Sequence, residues 1–396
     1  MVLEAGMSPR EIFAISLVAG ISLLLFLDRK KVRRHYIIFY RRTEKGLKMI
    51  DRIAALSPGF WNRYASAGVV AGAASIVVST ALMAKTVFDM VWNQSTANGP
   101  SAVLPGLGSE VTIQPGVSFI PVEYWVIGVG ILMFFHEMSH GIVARMNDFD
   151  LNSVGWVVMG IIPGAFVEPK GEEMLPGAEA EESDGGMWDQ GTWKQRLQVL
   201  AAGSFANYIV AGIFIAAHFL LLGAVTQPSG VFYAAQEGYP ASAAGMNNGS
   251  LESIDGRPIE KPQDVIEVAK SIEPNETVSI RSSEGNFTFE AASDPEGSGG
   301  YMGIRVGSQN VLKESYRDQR AGIQWFISLI YTVGWLNLLI GLFNMTPIKP
   351  LDGGLFLETV VERYREDWKP AVDRLSALGW ITILGSLALT ILSQVI

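Results

Sequence analysis

The sequence contains no cysteine and only four histidines among 396 residues. Without cysteine the chain can form neither a disulfide framework, nor a thiolate zinc site, nor a cysteine nucleophile. Any metal site must therefore use histidine and carboxylate side chains, and the small number of histidines limits where such a site can lie.

Charged residues are also scarce. Asp, Glu, Lys and Arg make up 17% of the chain, against about 25% in soluble domains, and the mean hydropathy is +0.26. Six segments approach the roughly 20 mostly apolar residues that a transmembrane helix needs. They cover residues 9–27, 66–92, 122–146, 197–225, 322–345 and 371–395. These segments predict a polytopic α-helical membrane protein with about six transmembrane helices.

The charges that are present are unevenly distributed. Residues 28–53 hold ten Lys or Arg and three acids, whereas residues 93–121 hold no Lys or Arg. Because basic loops favour the cytoplasmic side, we expect residues 28–53 inside, after a retained first helix. Apolar residues at helical spacing over 49–56 predict a helix on the inner membrane surface. A basic patch can also bind nucleic acid, but the adjacent membrane argues against that partner.

The string His136-Glu137-Met138-Ser139-His140 lies inside the third apolar segment. On a helix, residues i and i+4 share a face, so both imidazoles can bind one zinc ion with Glu137 beside it. Polar groups at membrane depth are costly and therefore tend to be functional. The motif predicts a protease whose zinc lies within the membrane.

Catalytic zinc usually takes a third protein ligand and keeps one position open. The other histidines are His35, in the basic segment, and His218, in the fourth span, and both are better explained as ordinary surface and helix residues. Asp352 is the stronger candidate, because two prolines break the preceding helix and two glycines follow. Irregular backbone at this depth is tolerated only where it packs in protein or lines a wet cavity. The alternative is a cytoplasmic loop aspartate that caps a short helix at 353–363.

Three motifs in chain order resemble those of the site-2 protease family of intramembrane metalloproteases. They are His136-Glu137-x-x-His140-Gly141, Ala202-Gly203-Ser204-x-Ala206-Asn207 and Asn344-x-x-Pro347-x-x-x-Leu351-Asp352-Gly353. The second motif departs from the family pattern, since Ser204 stands where family members commonly have proline. The resemblance covers the third to fifth spans.

The resemblance implies a ligand set and a set of roles. It implies one Zn²⁺ per chain with the ligands His136, His140 and Asp352. Glu137 would be the catalytic base. The residues that hold the substrate strand or the oxyanion would be Asn207, Asn344 and Pro347.

Residues 153–169 are too short and too rich in Gly and Pro for a spanning helix, and their Val, Ile and Phe residues favour strands. We expect a hairpin that dips into the membrane beside the site, with a simple amphipathic connection as the alternative. Family members have a comparable element, thought to add an edge strand to the unwound substrate. The acidic run 171–190 predicts a flexible linker.

Residues 226–312 are more polar and resemble a PDZ domain inserted between the fourth and fifth spans. The predicted elements are an Asp255-Gly256 hairpin turn, a helix over 262–272 and strands over 277–282 and 286–291. The usual carboxylate-binding loop is not recognisable around 229–232. Peptide-end binding, a steric filter over the entrance to the site and a passive spacer all remain open roles.

These observations divide the chain into six parts. They are an anchor with a basic cytoplasmic segment (1–65), a second helix with an outer loop (66–121), the first part of the catalytic core (122–225), an extracytoplasmic PDZ-like domain (226–312), the second part of the core (313–370) and a C-terminal transmembrane helix (371–396). The active site is expected toward the cytoplasmic side of a cell membrane.

The predicted function is intramembrane zinc proteolysis. The expected partners are the lipid bilayer, transmembrane protein substrates and an upstream protease of the site-1 type that trims those substrates first. One alternative is a membrane-anchored zinc peptidase that acts on interfacial or soluble peptides, with a glutamate as third ligand. The other is a non-enzymatic PDZ-bearing membrane scaffold.

Overall fold

The computed structural model describes residues 9–36, 38–93, 101–108, 110–114, 116–159, 162–169, 191–294, 297 and 299–392. The chain forms two compact units, Met1–His218 with Ser328–Ile396, and Phe219–Ile327. The acidic segment 171–190 lies outside the described residues, so the predicted linker is not addressed.

Apolar helices dominate the first unit. The helices of the described chain are α1 (Pro9–Leu27), α2 (Leu47–Leu56), α3 (Pro58–Trp92), α4 (Val122–Met146), α5 (Trp193–Val225), α6 (Pro240–Ala243), α7 (Pro262–Ala269), α8 (Arg320–Asn344), α9 (Asp352–Tyr364) and α10 (Lys369–Leu392). Five of the described helical segments are long and apolar enough to cross a membrane, namely Pro58–Trp92, Val122–Met146, Trp193–Val225, Glu314–Asn344 and Glu366–Leu392. They coincide with the second to sixth predicted spans. The protein is a multi-pass α-helical membrane protein.

The first predicted span is a helix with the expected bounds, since α1 runs over 19 residues from Pro9 to Leu27. Its crossing of the membrane stays a prediction. Helix α3 begins at Pro58, eight residues before the predicted start at 66. Proline suits the first position of a helix because its φ is already fixed there. The Trp61 indole also donates to the Ile53 carbonyl at 2.7 Å, which ties the start of α3 to α2.

The amphipathic helix predicted over 49–56 is present as α2 (Leu47–Leu56). Ile50 and Ala54 on its apolar face are buried in a cluster with residues of α4 and α5. A Cβ on Gly141 of α4 would lie 3.0 Å from the Ile50 side chain, so the two helices approach closely. The apolar face of α2 therefore packs on the helix that carries the histidine motif.

Two small sheets complete this unit. The strands are β1 (Arg33–His35), β2 (Ile38–Thr43), β3 (Ala102–Gly106), β4 (Thr112–Gln114), β5 (Val117–Pro121), β6 (Leu151–Met159) and β7 (Ile162–Pro169). The first sheet has the order β1-β2-β6-β7, and the second has the order β3-β5-β4. Strands β6 and β7 pair antiparallel where the sequence predicts a hairpin. The other strands are not predicted, because β2 finds its partner β6 more than a hundred residues away.

The second unit is a six-stranded sheet with helical additions. Its strands are β8 (Thr226–Ala235), β9 (Asn248–Ile254), β10 (Arg257–Pro258), β11 (Thr277–Ser282), β12 (Gly285–Glu290), β13 (Ala292–Ser293), β14 (Gly300–Tyr301) and β15 (Ile304–Leu312). The sheet order is β12-β11-β9-β8-β15, with β10 paired to β9 and a separate β13-β14 pair. Asp255 and Gly256 have φ of 48° and 74° between the paired β9 and β10, as the predicted hairpin turn requires.

The predicted helix of this unit is α7, which ends at Ala269. Backbone N–H groups of Glu260 and Lys261 donate to the Asp264 carboxylate and hold its pKa below the usual value. The long strands β8 and β15 pair along their whole length, although they flank the unit in sequence. Likeness to a PDZ domain stays a prediction.

Candidate metal centre

One face of α4 and the start of α9 bring together three side chains that could bind a metal ion. His136 and His140 lie one turn apart on α4, and their Nε2 atoms are 3.0 Å apart. Asp352 is the first residue of α9, and its Oδ2 lies 3.4 Å from Nε2 of His136 and 3.3 Å from Nε2 of His140. In the part of the chain that the structure describes, these residues form the one cluster of His, Asp and Glu that could hold a metal ion.

The spacing of this triangle fits zinc. Zinc–ligand bonds of about 2.0–2.2 Å in tetrahedral geometry place ligand atoms roughly 3.3–3.6 Å apart. The observed separations of 3.0, 3.3 and 3.4 Å lie near that range. Two imidazoles and one carboxylate are also the donor set of catalytic zinc sites that keep a fourth position open. The carboxylate in the cluster belongs to Asp352. The alternative of a membrane-anchored peptidase that acts on interfacial peptides requires a glutamate there.

His140 is oriented for metal binding by the backbone. Its Nδ1 lies 2.8 Å from the carbonyl oxygen of Val199 on α5. Since a carbonyl can only accept, Nδ1 carries the proton and the lone pair of Nε2 faces the cluster. A hydrogen bond from the ring nitrogen that does not face the metal is the usual support for a metal-binding imidazole.

Asn207 lies beside Nδ1 of His136, as the Val199 carbonyl lies beside Nδ1 of His140. Its amide nitrogen lies 3.1 Å from Nδ1 of His136, and the residue is fully buried. Its Oδ1 is buried and has no hydrogen-bond partner among the described residues. The two amide positions of asparagine are assigned from the hydrogen-bond network, and with the amide turned over Oδ1 would accept from Nδ1 of His136. Asn207 therefore has an orienting role for His136, and its predicted contact with substrate stays a prediction.

Asn344, the last residue of α8, contacts two of the three ligands. Its amide nitrogen donates to Oδ2 of Asp352 at 2.7 Å and lies 3.1 Å from Nε2 of His136. Asn344 thus holds the Asp352 carboxylate beside both imidazoles.

The chain between α8 and α9 follows a path that only small residues permit. Pro347 is buried in this connection. A Cβ on Gly353 would fall on the backbone of Met345 and Thr346, and a Cβ on Gly354 would lie 2.5 Å from the backbone of Ile348. The glycine pair lets the start of α9 lie directly against the connection, which brings Asp352 to the histidines. The short helix considered for 353–363 exists, and its first residue faces the cluster.

Gly203 on α5 lies against both imidazoles, and the sequence pattern assigns it no role. A Cβ at this position would lie 2.6 Å from Cε1 and 2.7 Å from Nδ1 of His136, and still closer to Nε2 of His140. Both imidazoles therefore rest against a helix that has no side chain at this point. The presence of Gly203 in the Ala202–Asn207 motif is the signal that could have identified it.

Glu137, beside the first ligand, faces the hairpin. The backbone N–H of Val167 on β7 donates to Oε2 of Glu137 at 3.3 Å. Two residues further along α4, Ser139 donates to the carbonyl of Ala202 at 2.9 Å and lies 2.7 Å from the hydroxyl of Tyr64. These bonds link α3, α4 and α5 around Glu137 and the two histidines.

The C-terminal helix α10 holds the connection that precedes Asp352. The backbone N–H of Lys349 donates to Ser376 Oγ at 2.8 Å, and the Trp380 indole donates to the Lys349 carbonyl at 3.0 Å. The Lys349 ammonium pairs with Asp373 and Glu358, which raise its pKa. Helix α10, for which the sequence predicts no chemistry, thus supports the loop of the third ligand.

Replacement of Trp380 by phenylalanine tests this support. We expect the free energy of unfolding to fall by about 1 kcal/mol, because the carbonyl of Lys349 loses its indole donor. Unfolding in detergent, followed by fluorescence or circular dichroism, measures the change. Trp92→Phe at the exposed end of α3 is the control, and an equal effect of both changes would contradict the proposed support.

The two remaining histidines lie away from this cluster. His35 is exposed on β1 beside Tyr36, and the His218 ring packs on Tyr331 with a centroid distance of 4.9 Å. Neither belongs to the metal-binding group of the described residues. The role of Asp352 as the third zinc ligand stays a prediction.

Comparison with known proteins adds independent evidence to this geometry. An uncharacterized protein of Methanocaldococcus jannaschii is 26% identical over 351 residues, which are 87% of this chain and 84% of that protein. The model of peptidase family M50 matches residues 124–385, which is more than half of the chain and includes His136, Glu137, His140 and Asp352. The match, together with the partly buried His-His-Asp triangle between apolar helices, shows that the chain belongs to peptidase family M50, the family of the site-2 metalloproteases.

Proposed function

We propose that this protein is a zinc metallopeptidase that hydrolyses peptide bonds within transmembrane segments of other membrane proteins. The position of the cluster carries the proposal. His136 and His140 lie within α4, which is long and apolar enough to span a membrane. Asp352, the third member of the triangle, follows a second such helix, α8. A substrate must therefore reach a site whose two histidines lie on a membrane helix and whose aspartate directly follows another.

The residues present support hydrolysis by a general base. Zinc bound to the triangle would polarise the scissile carbonyl and lower the pKa of a water molecule toward about 7. Glu137 takes a proton from the attacking water and passes it to the leaving amine, so that water is added across the broken peptide bond. Asn344, whose amide nitrogen lies beside two of the ligands, donates to the developing negative charge on the carbonyl oxygen.

A transmembrane substrate must unwind before it can be cut, because helical backbone hydrogen bonds protect its peptide bonds. The hairpin supports this step in our proposal. Strand β7 is the last strand of its sheet, and its residue Val167 contacts Glu137. An extended peptide that pairs with such an edge lies beside the base, in the manner of β-augmentation.

The distribution of charge supports an orientation. Residues 28–53, with ten Lys or Arg, are placed on the cytoplasmic side, and the site opens toward that side. The unit Phe219–Ile327 is placed outside the cytoplasm as a PDZ-like domain. Action after an upstream protease of the site-1 type is part of the same proposal, since a shortened substrate enters a membrane site more readily.

Cleavage by the purified, reconstituted protein tests the proposal. A panel of single-span substrates is incubated with wild-type protein and with Glu137→Gln, and the products are mapped by mass spectrometry. We expect a cut inside the span with the wild type, and a loss of on the order of 10²–10⁴ in kcat with Glu137→Gln, since a general base contributes about that much.

The metal content provides the control for this experiment. Both proteins should hold one zinc per chain, because Glu137 is not a ligand. A mutant-sensitive cut only outside the bilayer would favour the interfacial peptidase. Cleavage by Glu137→Gln at the wild-type rate would refute the role of the base. Absence of zinc and of any cut would favour the scaffold.

A further inference from the structure

A buried ion pair joins the N-terminal strand β2 to the hairpin strand β7. Arg42 donates from Nε to Oε2 of Glu168 at 3.0 Å and from Nη2 to Oε1 at 3.0 Å. The Glu168 side chain has no exposed surface, and Ser153 Oγ donates to its Oε2 at 2.7 Å. Bidentate pairs of this kind fix the relative position of both groups and not only their charge.

The pair crosses the strand that lies between its two partners. In the sheet order β1-β2-β6-β7, strand β6 separates β2 from β7, so the partners are roughly 10 Å apart at the backbone. Arg42 faces Gly155 of β6, and Gly155 faces Phe166 of β7. The Phe166 ring fills the space where Gly155 has no side chain. Arg42 and Glu168 therefore meet over β6 beside Ser153, which donates to the same carboxylate.

Glu168 is adjacent to the residue that contacts the catalytic base. The N–H of Val167 donates to Oε2 of Glu137 at 3.3 Å. A Cβ on Gly141 of α4 would lie 3.2 Å from the Val167 side chain, so β7 already packs closely on the helix that carries Glu137. A shift of β7 along or away from α4 would therefore change the environment of that carboxylate.

We propose that Arg42 is a positioning residue of the peptidase site, which holds β7 through Glu168 so that the Val167 N–H stays on the Glu137 carboxylate. Strand β2 lies outside residues 124–385, the part of the chain that the family model matches. Arg42 would thus act on the reaction from outside the matched part of the chain, through β7. The inference rests on the proposed function, because it assigns a role in that reaction.

Replacement of Arg42 by glutamine tests the role, and Arg41 offers a matched control on the same strand. Arg41 pairs with Asp28 at 2.8 Å, and its side chain is 19% exposed against 18% for Arg42. The two side chains leave β2 on opposite faces, so Arg41→Gln removes an ion pair without touching β7. We expect Arg42→Gln to lower kcat by about 10–100-fold, as small misplacements of catalytic groups do. Arg41→Gln should stay within about twofold of wild type.

Two further readouts separate positioning from a general loss of structure. Zinc should remain at one per chain in Arg42→Gln, and amide exchange measured by mass spectrometry should become at least about tenfold faster in peptides that cover residues 162–169. Arg42→Lys, which keeps the charge but loses the bidentate geometry, should recover part of the lost kcat. An unchanged kcat, a loss no larger than that of Arg41→Gln, or a loss of zinc would overturn the proposal.

A lone buried carboxylate can prevent folding of Arg42→Gln. The double variant Arg42→Gln with Glu168→Gln removes both charges, and it should show the same slower reaction and faster exchange. Wild-type levels of both in the double variant would overturn the role of the pair. If the wild type shows no cleavage that depends on Glu137, the proposed function fails. The exchange of residues 162–169 in Arg42→Gln against Arg41→Gln then still decides whether the ion pair holds β7.

Discussion

Replacement of Gly203 by alanine should abolish both zinc binding and peptidase activity. The added methyl group would lie 2.6–2.7 Å from the ring of His136 and against Nε2 of His140, where no heavy atom fits. Neither ring can simply turn away, because His140 is bonded to the Val199 carbonyl and His136 to Asn207. Either the rings lose those bonds or α5 moves away from α4, and both changes destroy the triangle with Asp352.

Zinc content by atomic absorption and cleavage of a single-span substrate measure this effect. The matched control is Gly212→Ala on the same helix, where an added Cβ meets nothing within 4 Å. That control should keep one zinc per chain, and it removes the concern that any glycine replacement disturbs α5, since alanine is the better helix former. Full zinc occupancy in Gly203→Ala would show that the two imidazoles and α5 can separate enough to admit a methyl group, and it would contradict this prediction.

Replacement of Asp352 by alanine should lower the affinity for zinc by more than about 100-fold. Loss of a residue that only supports a ligand typically costs 10–100-fold, and loss of a ligand must cost more. Asp352 is the one carboxylate within 3.4 Å of both Nε2 atoms in the described chain. The change also leaves the Asn344 amide without its acceptor at 2.7 Å.

Competition with a chromogenic chelator measures the affinity, and it needs no substrate. Asp367→Ala, which removes an exposed carboxylate paired with Arg365, is the control and should bind zinc as the wild type does. Retention of wild-type affinity in Asp352→Ala would favour the alternative in which a glutamate completes the site. The measurement therefore distinguishes the two kinds of zinc peptidase without any assumption about the substrate.

The sequence predicts those parts of the site that local spacing controls. His136 and His140 share a helix face by periodicity alone, and Glu137 follows from its place between them. Asp352 is predictable because prolines and glycines at membrane depth mark a helix break. Such irregular backbone is tolerated only where it packs in protein or lines a water-filled cavity. The remaining roles need the structure, since contacts of Asn207, Gly203 and Asn344 with the histidines depend on how α5 and α8 pack against α4.

The fold likewise has elements that the local sequence predicts and elements that depend on tertiary packing. Apolar length fixed the spanning helices, because the bilayer sets how many residues a helix needs, and turn chemistry fixed the hairpin at Asp255 and Gly256. Strand pairing over long separations was decided by tertiary structure, as for β2 with β6. The sequence by itself thus predicted which three side chains could hold a metal ion and that they lie on or next to membrane-spanning helices. Only the packing of distant segments decided which glycine and which amides contact the histidines, because these contacts join residues that no local pattern connects.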